Sequence, residues 1–170
     1  HNIIRNNNAS NNFNGIGIFS GDPTRDIVSI NNTLEWNTVS NNTGLSYRAG
    51  RPPSSGIILG SSNLSTIERN DAISNFIGVL LVNSSHNEIR NNTAHNNTGQ
   101  GITLRYCSYT NVTNNSVLLN TYNGILVGYS DNNTISNNNI SNSIMNNGIW
   151  METPLTCLLY TSDAADEEDS

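Results

Sequence analysis

One short phrase recurs along the chain: a β-branched apolar residue is followed three places later by asparagine. From Ile67 onward the apolar residue returns at steps of 22, 23 and 23 residues, and a second polar series keeps the same step. Low-complexity asparagine would not hold such a register, so the pattern indicates an internal structural repeat. The six pairs are Ile4/Asn7, Val39/Asn42, Ile67/Asn70, Ile89/Asn92, Val112/Asn115 and Ile135/Asn138.

A glycine followed by an apolar triplet completes each unit, as in Gly101-Ile102-Thr103-Leu104. Strands of two to four residues then alternate with asparagine turns, because asparagine tolerates the left-handed backbone and bonds locally. In coils stacked about 4.8 Å apart, equivalent amides can hydrogen-bond as a ladder. We therefore predict an all-β, right-handed parallel β-helix of about six coils, with 22–24 residues per regular coil, and an asparagine ladder formed by the six asparagines above.

The leucine-rich repeat is the main alternative, since its period of roughly 20–29 residues overlaps this one. That repeat requires leucines in an L-x-x-L-x-L run before its asparagine. Here β-branched residues dominate the first strand, and no helical period of 3.6 appears between the asparagine turns. The inner position five residues later is small or apolar, at Ala9, Ala72, Ala94, Val117 and Ile140. The pattern favours the β-helix.

Composition divides the chain into a repeat body, 1–151, and a tail, 152–170. The body contains seven arginines and seven carboxylates, so its formal charge is zero and the net charge of −6 arises in the tail. A basic surface for nucleic acid is not indicated. The tail does not continue the asparagine repeat. We interpret it either as translated sequencing-adapter read-through or as a disordered acidic tail. The chain opens at His1 without a signal-like segment and contains no run of 18 apolar residues, so we expect an internal fragment with no membrane span.

The phrases NTISNN at 133–138, NEIRNN at 87–92 and NGILV at 123–127 carry a family resemblance. The chain resembles the parallel β-helix repeat family, the carbohydrate-binding and sugar-hydrolysis type of repeat that also occurs in NosD-like copper-processing proteins. The resemblance implies polysaccharide binding, cleavage or epimerisation, periplasmic copper-site maturation, or a repetitive cell-surface role. Asp22-Pro23 and Asp26 resemble the Asp-Pro-His-Asp motif of alginate epimerases, but no histidine lies between them.

Two insertions, near 19–36 and 45–55, interrupt the period, and function on a solenoid usually lies where loops leave the wall. These insertions hold the densest charges and aromatic residues of the body. Aromatic faces stack on sugar rings and arginine forks hold uronate carboxylates, so a polysaccharide contact is predicted here. The candidate binding residues are Trp36, Tyr47, Arg25, Arg48, Arg51, Asp22 and Asp26. Cover of a lateral surface is the alternative role for both insertions.

Catalytic and metal sites are not predicted. The tandem calcium carboxylates of a pectate-lyase site are missing, and His86 and His95 lie nine residues apart near different corners. We therefore expect no cofactor and no metal. The predicted function is an extracellular or cell-surface module, structural and carbohydrate-contacting. The alternatives are a polysaccharide lyase, hydrolase or epimerase, and a NosD-like periplasmic copper-processing protein.

The coil alignment makes three further predictions. Glu68 and Arg90 should be lateral neighbours on an outer wall. The central residue of each glycine-led triplet should point outward and form a covered apolar stripe, from Ile58 through Leu80 to Trp150. Both ends of the stack expose unpaired strands, so adjoining coils or domains of a longer chain, or end-to-end self-association, are the expected partners.

Overall fold

The computed structural model describes residues 1–20, 28–44 and 52–152. These residues form twenty β-strands and no helix, so none of them builds a helix that could cross a membrane. Every strand pairing is parallel, and the coils stack as three six-stranded sheets with one short two-stranded sheet. The chain is a right-handed parallel β-helix of six coils, as the repeat predicts.

Sheet 1 carries the strand that begins each regular repeat, and its central residue points inward. Its strands are β1 (Ile3–Arg5), β5 (Thr33–Glu35), β9 (Thr66–Glu68), β12 (Glu88–Arg90), β15 (Asn111–Thr113) and β18 (Thr134–Ser136).

Sheet 2 follows after one turn, and its inward residue is small or β-branched. Its strands are β2 (Asn8–Ser10), β6 (Thr38–Ser40), β10 (Asp71–Ile73), β13 (Thr93–His95), β16 (Ser116–Leu118) and β19 (Asn139–Ser141).

Sheet 3 contains the glycine-led triplets and has the longest strands. Its strands are β3 (Asn14–Phe19), β7 (Ser55–Gly60), β11 (Ile77–Val82), β14 (Ile102–Arg105), β17 (Ile125–Gly128) and β20 (Ile149–Glu152). Sheet 4 pairs β4 (Ser29–Ile30) with β8 (Ser62–Asn63) at the third corner.

The core is a column of apolar side chains enclosed by the coils. Leu34, Ile67, Ile89 and Val112 are stacked in register from sheet 1 and are fully buried. Full burial of one such side chain contributes roughly 1.5–3 kcal/mol. Because each coil is too small to bury its own apolar face, stability comes from stacking on its neighbours.

The corners depend on residues in the left-handed backbone conformation. After sheet 1 this position is held by asparagine at Asn6, Asn91, Asn114 and Asn137, with φ of 55–57°. Asparagine visits this region at little cost, whereas bulky residues rarely do. Trp36, with φ of 56°, takes the same position in the second coil.

The next residue in each corner after sheet 1 builds the first ladder. It contains Asn7, Asn37, Asn70, Asn92, Asn115 and Asn138, each joined to the next by side-chain amide hydrogen bonds. Five of these six were assigned to this column from sequence. The sixth is Asn37, for which the sequence alignment wrongly took Asn42. Asn42 belongs to a second ladder after sheet 2 and donates from Nδ2 to Asn75 Oδ1 at 2.9 Å.

Val39 is displaced from its predicted position in the same way, since it pairs with Ala9 and Ala72 in sheet 2. Leu34 occupies the expected place in sheet 1. The reason is that the second coil has leucine, which is not β-branched, as its inward residue and tryptophan in its turn, so it does not match the repeat phrase. As a consequence, residues 29–35 already form β4 and β5, and the first insertion is shorter than 19–36.

Candidate functional site

The outer face of sheet 3 is the most distinctive surface of the described chain. Ile57 and Leu59 belong to the core, whereas Ile58 between them packs in a separate outer cluster with Leu80 and Ile77. Side chains alternate across a strand, so the centre of each triplet points away from the core. The outward stripe, Ile58, Leu80, Thr103 and Leu126, is nevertheless at most 6% exposed, as predicted, and only Trp150 is partly open at 45%.

A groove of about 680 Å³ lies along this face. This volume falls within the roughly 300–1,000 Å³ typical of small-molecule sites. The floor is the apolar stripe, and the described end of the second insertion, Pro52 and Pro53, forms part of the border. The lining residues are Pro52, Pro53, Phe76, Ile77, Leu80, Val82, Gln100, Thr103, Arg105, Tyr106, Tyr122 and Leu126.

Tyr106 lines one side of the groove and stacks on a tyrosine of the next coil. Tyr106 follows β14, and its ring lies 5.2 Å from that of Tyr129 in the next coil, with an interplanar angle of 16°. Tyr106 is 55% exposed and has φ of 53°. An exposed ring held in this backbone region carries a conformational cost. Tyr106 therefore presents an aromatic ring to the groove.

Polar groups in the groove are few. Thr103 is 2% exposed, and its Oγ1 has no hydrogen-bond partner among the residues that the structure describes. A buried hydroxyl without a partner costs roughly 1–3 kcal/mol. Arg105 is exposed, and no carboxylate of the described residues forms an ion pair with it.

Carboxylates and histidines are missing from the described lining of the groove. Glu152 is the nearest acid in register, because β20 pairs with β17 and places Glu152 opposite Gly128. A Cβ added to Gly128 would lie 3.0 Å from Glu152 Oε2 and 3.8 Å from Arg105 Cγ. Glycine at this position lets both charged side chains approach the same spot at one end of the groove.

The binding residues proposed from sequence are only partly described. Trp36 lies at the corner between sheets 1 and 2, is 56% exposed, and has the guanidinium of Arg69 5.4 Å from its ring centre. It therefore does not line the groove. The other six, Asp22, Arg25, Asp26, Tyr47, Arg48 and Arg51, lie outside the described residues, and the contact set stays a prediction.

The charged groups on the wall of sheet 1 pair with each other. Glu68 Oε2 lies 3.1 Å from Arg90 and 3.2 Å from Arg69, and Arg5 Nε donates to Glu35 Oε1 at 2.7 Å. Glu68 and Arg90 are opposite each other in register, as expected from the alignment. This wall therefore carries an ion-pair network.

The histidines and the cysteine lie apart. His86 stacks on Tyr109 at 4.9 Å, and His95 Nε2 bonds Ser116 Oγ at 2.9 Å on sheet 2. Burial lowers the pKa of His95, and Asp71 opposes that shift. Burial raises the pKa of the Cys107 thiol to about 11. Within residues 1–20, 28–44 and 52–152 no cluster of three or more such ligands could hold a metal ion.

The sequence did not predict the aromatic walls of the groove, although it predicted the outward apolar residues of its floor. The available signal was the recurrence of tyrosine at the same place after two triplets, Tyr106 and Tyr129, 23 residues apart. Phe76 and Tyr122 occupy turns in different coils, and nothing in their local sequence indicates a shared wall.

Comparison with known proteins agrees with this architecture. A family described as right handed beta helix region matches residues 1–140. Two solved structures of the periplasmic alginate epimerase AlgG, a single and a double mutant, are 24% and 22% identical, with TM-scores of 0.63 and 0.64. The alignments cover 89% of this chain and 30% and 38% of those chains, so it spans about a third of their length. No curated protein matches the sequence significantly.

Proposed function

The chain belongs to the right-handed beta helix family, and we propose that it is a polysaccharide-contacting module that binds along the outer face of sheet 3. The observation that carries this proposal is the groove of about 680 Å³, which combines an apolar floor, aromatic walls and isolated polar groups. Sugar rings present apolar faces and hydroxyl edges, which this combination of groups complements.

The charge of the groove favours an acidic polysaccharide. Arg105 is the charged residue of the described lining, and no carboxylate there would repel a uronate. An arginine fork can hold a carboxylate by two parallel hydrogen bonds. The similarity in fold to a periplasmic enzyme that acts on alginate supports a location outside the cytoplasm, whether extracellular, cell-surface or periplasmic.

A matched pair of tyrosines tests the site. Tyr106 and Tyr109 are each 55% exposed, have φ of 53° and 52°, and stack on a neighbouring ring, but only Tyr106 lines the groove. Calorimetric titration with polyuronate oligosaccharides should show binding that Tyr106→Ala weakens about tenfold, or about 1.4 kcal/mol. Tyr109→Ala should bind as the unaltered protein does.

Charge selection is tested in the same titrations. Arg105→Gln should abolish the preference for polyuronate over a neutral glucan, whereas Arg5→Gln, on the wall of sheet 1, should leave it unchanged. Thermal melting of each variant checks that the fold is retained. If both tyrosine variants lose affinity equally, or if neither glycan binds, the groove is not a polysaccharide site. The face of sheet 3 would then have a structural role only.

Catalysis on the polysaccharide is the second candidate, and one observation favours it. Glu152 Oε2 and Cγ of Arg105 lie near the same point above Gly128, beside the groove residue Arg105. A carboxyl group and a cation held near each other could act as acid or base on a uronate. Incubation with polyuronate, followed by ultraviolet absorbance for an unsaturated product and by NMR for epimerised units, distinguishes the two. Turnover that Glu152→Gln abolishes would establish an enzyme, and binding without turnover would support the module.

A further inference from the structure

A serine and a histidine are hydrogen-bonded on the outer face of sheet 2, a sheet to which none of the groove's described lining residues belongs. His95 Nε2 lies 2.9 Å from Ser116 Oγ. The two side chains come from the adjacent strands β13 and β16, and both are partly exposed. A hydroxyl within hydrogen-bond distance of an imidazole is the arrangement that activates serine as a nucleophile.

The parallel register explains why these two side chains meet. Thr93 lies opposite Ser116, and His95 follows Thr93 by two residues in the same strand. Side chains two residues apart project from the same face of a strand, so the imidazole reaches diagonally to the serine of the following coil. The contact therefore depends on the stacking of coils.

A carboxylate lies on the other side of the histidine. Asp71 is opposite Thr93 in register, just as Ser116 is in the following coil. Asp71 and Ser116 thus flank His95 diagonally, one from the preceding coil and one from the following coil. Asp71 is exposed, and its charge raises the pKa of His95, which means that it favours the imidazolium form. An imidazole takes this form when it accepts a proton from serine.

Apolar neighbours favour the neutral imidazole before any reaction. Ile73 lies opposite His95 in register, and Leu118 holds the equivalent position of the next strand. Burial lowers the pKa of His95 by more than Asp71 raises it, so the pKa lies below its ordinary value. At neutral pH the ring is therefore available as a base. Asp71 is the charged residue of this cluster, which consists of Asp71, Ile73, Thr93, His95, Ser116 and Leu118.

We propose that Ser116, His95 and Asp71 form a hydrolytic site for activated esters on the outer face of sheet 2. Ser116 Oγ attacks the ester carbonyl carbon, and its proton passes to His95 Nε2. That proton leaves with the alcohol as the bond between the acyl carbon and the alcohol oxygen breaks, and the acyl group stays on Ser116. Water, deprotonated by His95, then displaces Ser116 Oγ, which recovers the proton as the carboxylic acid leaves.

The backbone around the serine limits the substrate. The N–H of Ser116 donates to the Asn92 carbonyl oxygen at 2.8 Å, so it is not free to stabilise an oxyanion. Serine hydrolases rely on such donors for the tetrahedral intermediates of acyl transfer. The site therefore suits esters with a good leaving group, such as aryl esters, rather than amides. Asp71 acts through His95 and is a positioning residue.

Chemical labelling tests the nucleophile in the unaltered full chain. Phenylmethylsulfonyl fluoride should sulfonylate Ser116, and peptide mass spectrometry identifies the labelled residue. Ser40 is the internal control, because it lies on the same face and its hydroxyl is also 2.9 Å from a partner, which is the Ser10 hydroxyl rather than an imidazole. Ser116 should be labelled about 100-fold faster than Ser40. Equal labelling of the two serines, or no labelling of Ser116, would overturn the proposal.

Ester hydrolysis gives the second test, with para-nitrophenyl acetate as the probe. Ser116→Ala and His95→Gln should each lower the rate about 100-fold. His86→Gln is the matched control and should leave the rate unchanged, because His86 stacks on Tyr109. Asp71→Asn should move the rising limb of the pH–rate profile to lower pH, because it removes the charge that raises the pKa of His95.

Circular dichroism checks that each variant keeps the fold. Hydrolysis that survives Ser116→Ala would show that the histidine reacts by itself, and a pH profile that Asp71→Asn does not move would exclude the carboxylate. Either result would contradict the three-residue site.

Discussion

Glu68 and Arg90 lie opposite each other in register on adjacent coils, with 3.1 Å between Glu68 Oε2 and Arg90 Nη2. The Glu68 side chain is 10% exposed and that of Arg90 41% exposed, so the pair is only half in solvent. Arg69 approaches the same oxygen at 3.2 Å. The carboxylate therefore links three positions on the wall of sheet 1.

Glu68→Gln should lower the free energy of unfolding by about 0.5–1 kcal/mol at low salt, because it removes the charge shared by two arginines. The loss should shrink in high salt, since the arginine heads are screened. Urea unfolding at two ionic strengths measures it. Glu88→Gln is the control, because Glu88 is 52% exposed and 3.4 Å from Arg90. An equal effect of both substitutions would contradict the network.

Asn92→Leu should lower the free energy of unfolding by about 1–3 kcal/mol, because it leaves buried partners in both adjacent coils without hydrogen bonds. Those partners are the Oδ1 of Asn115 and the carbonyl of Ile67. Asn111→Leu, at an exposed position of β15, should change stability little. Chemical denaturation of both proteins measures the change in the free energy of unfolding. A change near zero for Asn92→Leu would mean that the ladder does not contribute to stability.

Gly101→Ala should destabilise the protein by about 3 kcal/mol or prevent folding, because the added methyl group has no room. Its Cβ would overlap Val117 and would lie 2.7 Å from Asn120 Nδ2 and 2.8 Å from the Gly124 carbonyl oxygen. Gly148→Ala in the last coil is the matched control, since its Cβ would meet only Ile140, at 3.5 Å. Melting temperatures that fall equally in the two variants would refute this account.

Cys107 should make stability depend on pH in alkaline solution. Burial raises the pKa of its thiol to about 11, above the roughly 8.5 of an unfolded cysteine. The unfolded state therefore ionises first, so this contribution is complete below pH 8.5 and is lost as the pH rises towards 11. The loss should reach about 3 kcal/mol at pH 11.

Cys107→Ser should remove that alkaline loss with little change at neutral pH. Serine already holds the equivalent positions, and Ser130 Oγ donates to the Gly128 carbonyl as Cys107 Sγ donates to that of Arg105. Urea unfolding from pH 7 to pH 10 in the Cys157→Ser background measures the difference. Parallel pH profiles for the two proteins would show that the Cys107 thiol titrates normally.

The sequence by itself determined the parallel coils and most of the first ladder. With a period of 22 to 23 residues, the inward apolar residue of sheet 1 and the corner asparagine after it recur once per coil. Such a local pattern can be read from the sequence alone. The same alignment predicted the outward stripe and the Glu68–Arg90 pair. It placed Asn42 in the wrong ladder because Leu34 and Trp36 do not resemble their counterparts in other coils.

Only the tertiary structure decided how the groove is walled. Phe76, Tyr106 and Tyr122 lie in turns of different coils, and each is unremarkable within its own segment. They border one groove because stacking places equivalent turns about one strand spacing apart and because the outer face of sheet 3 is flanked by two corners. The direction of the hydrogen bonds in the first ladder, in which Asn92 Nδ2 donates to Asn115 Oδ1, was likewise decided in three dimensions. An asparagine amide can donate or accept, and its orientation is set by the backbone of both neighbouring coils.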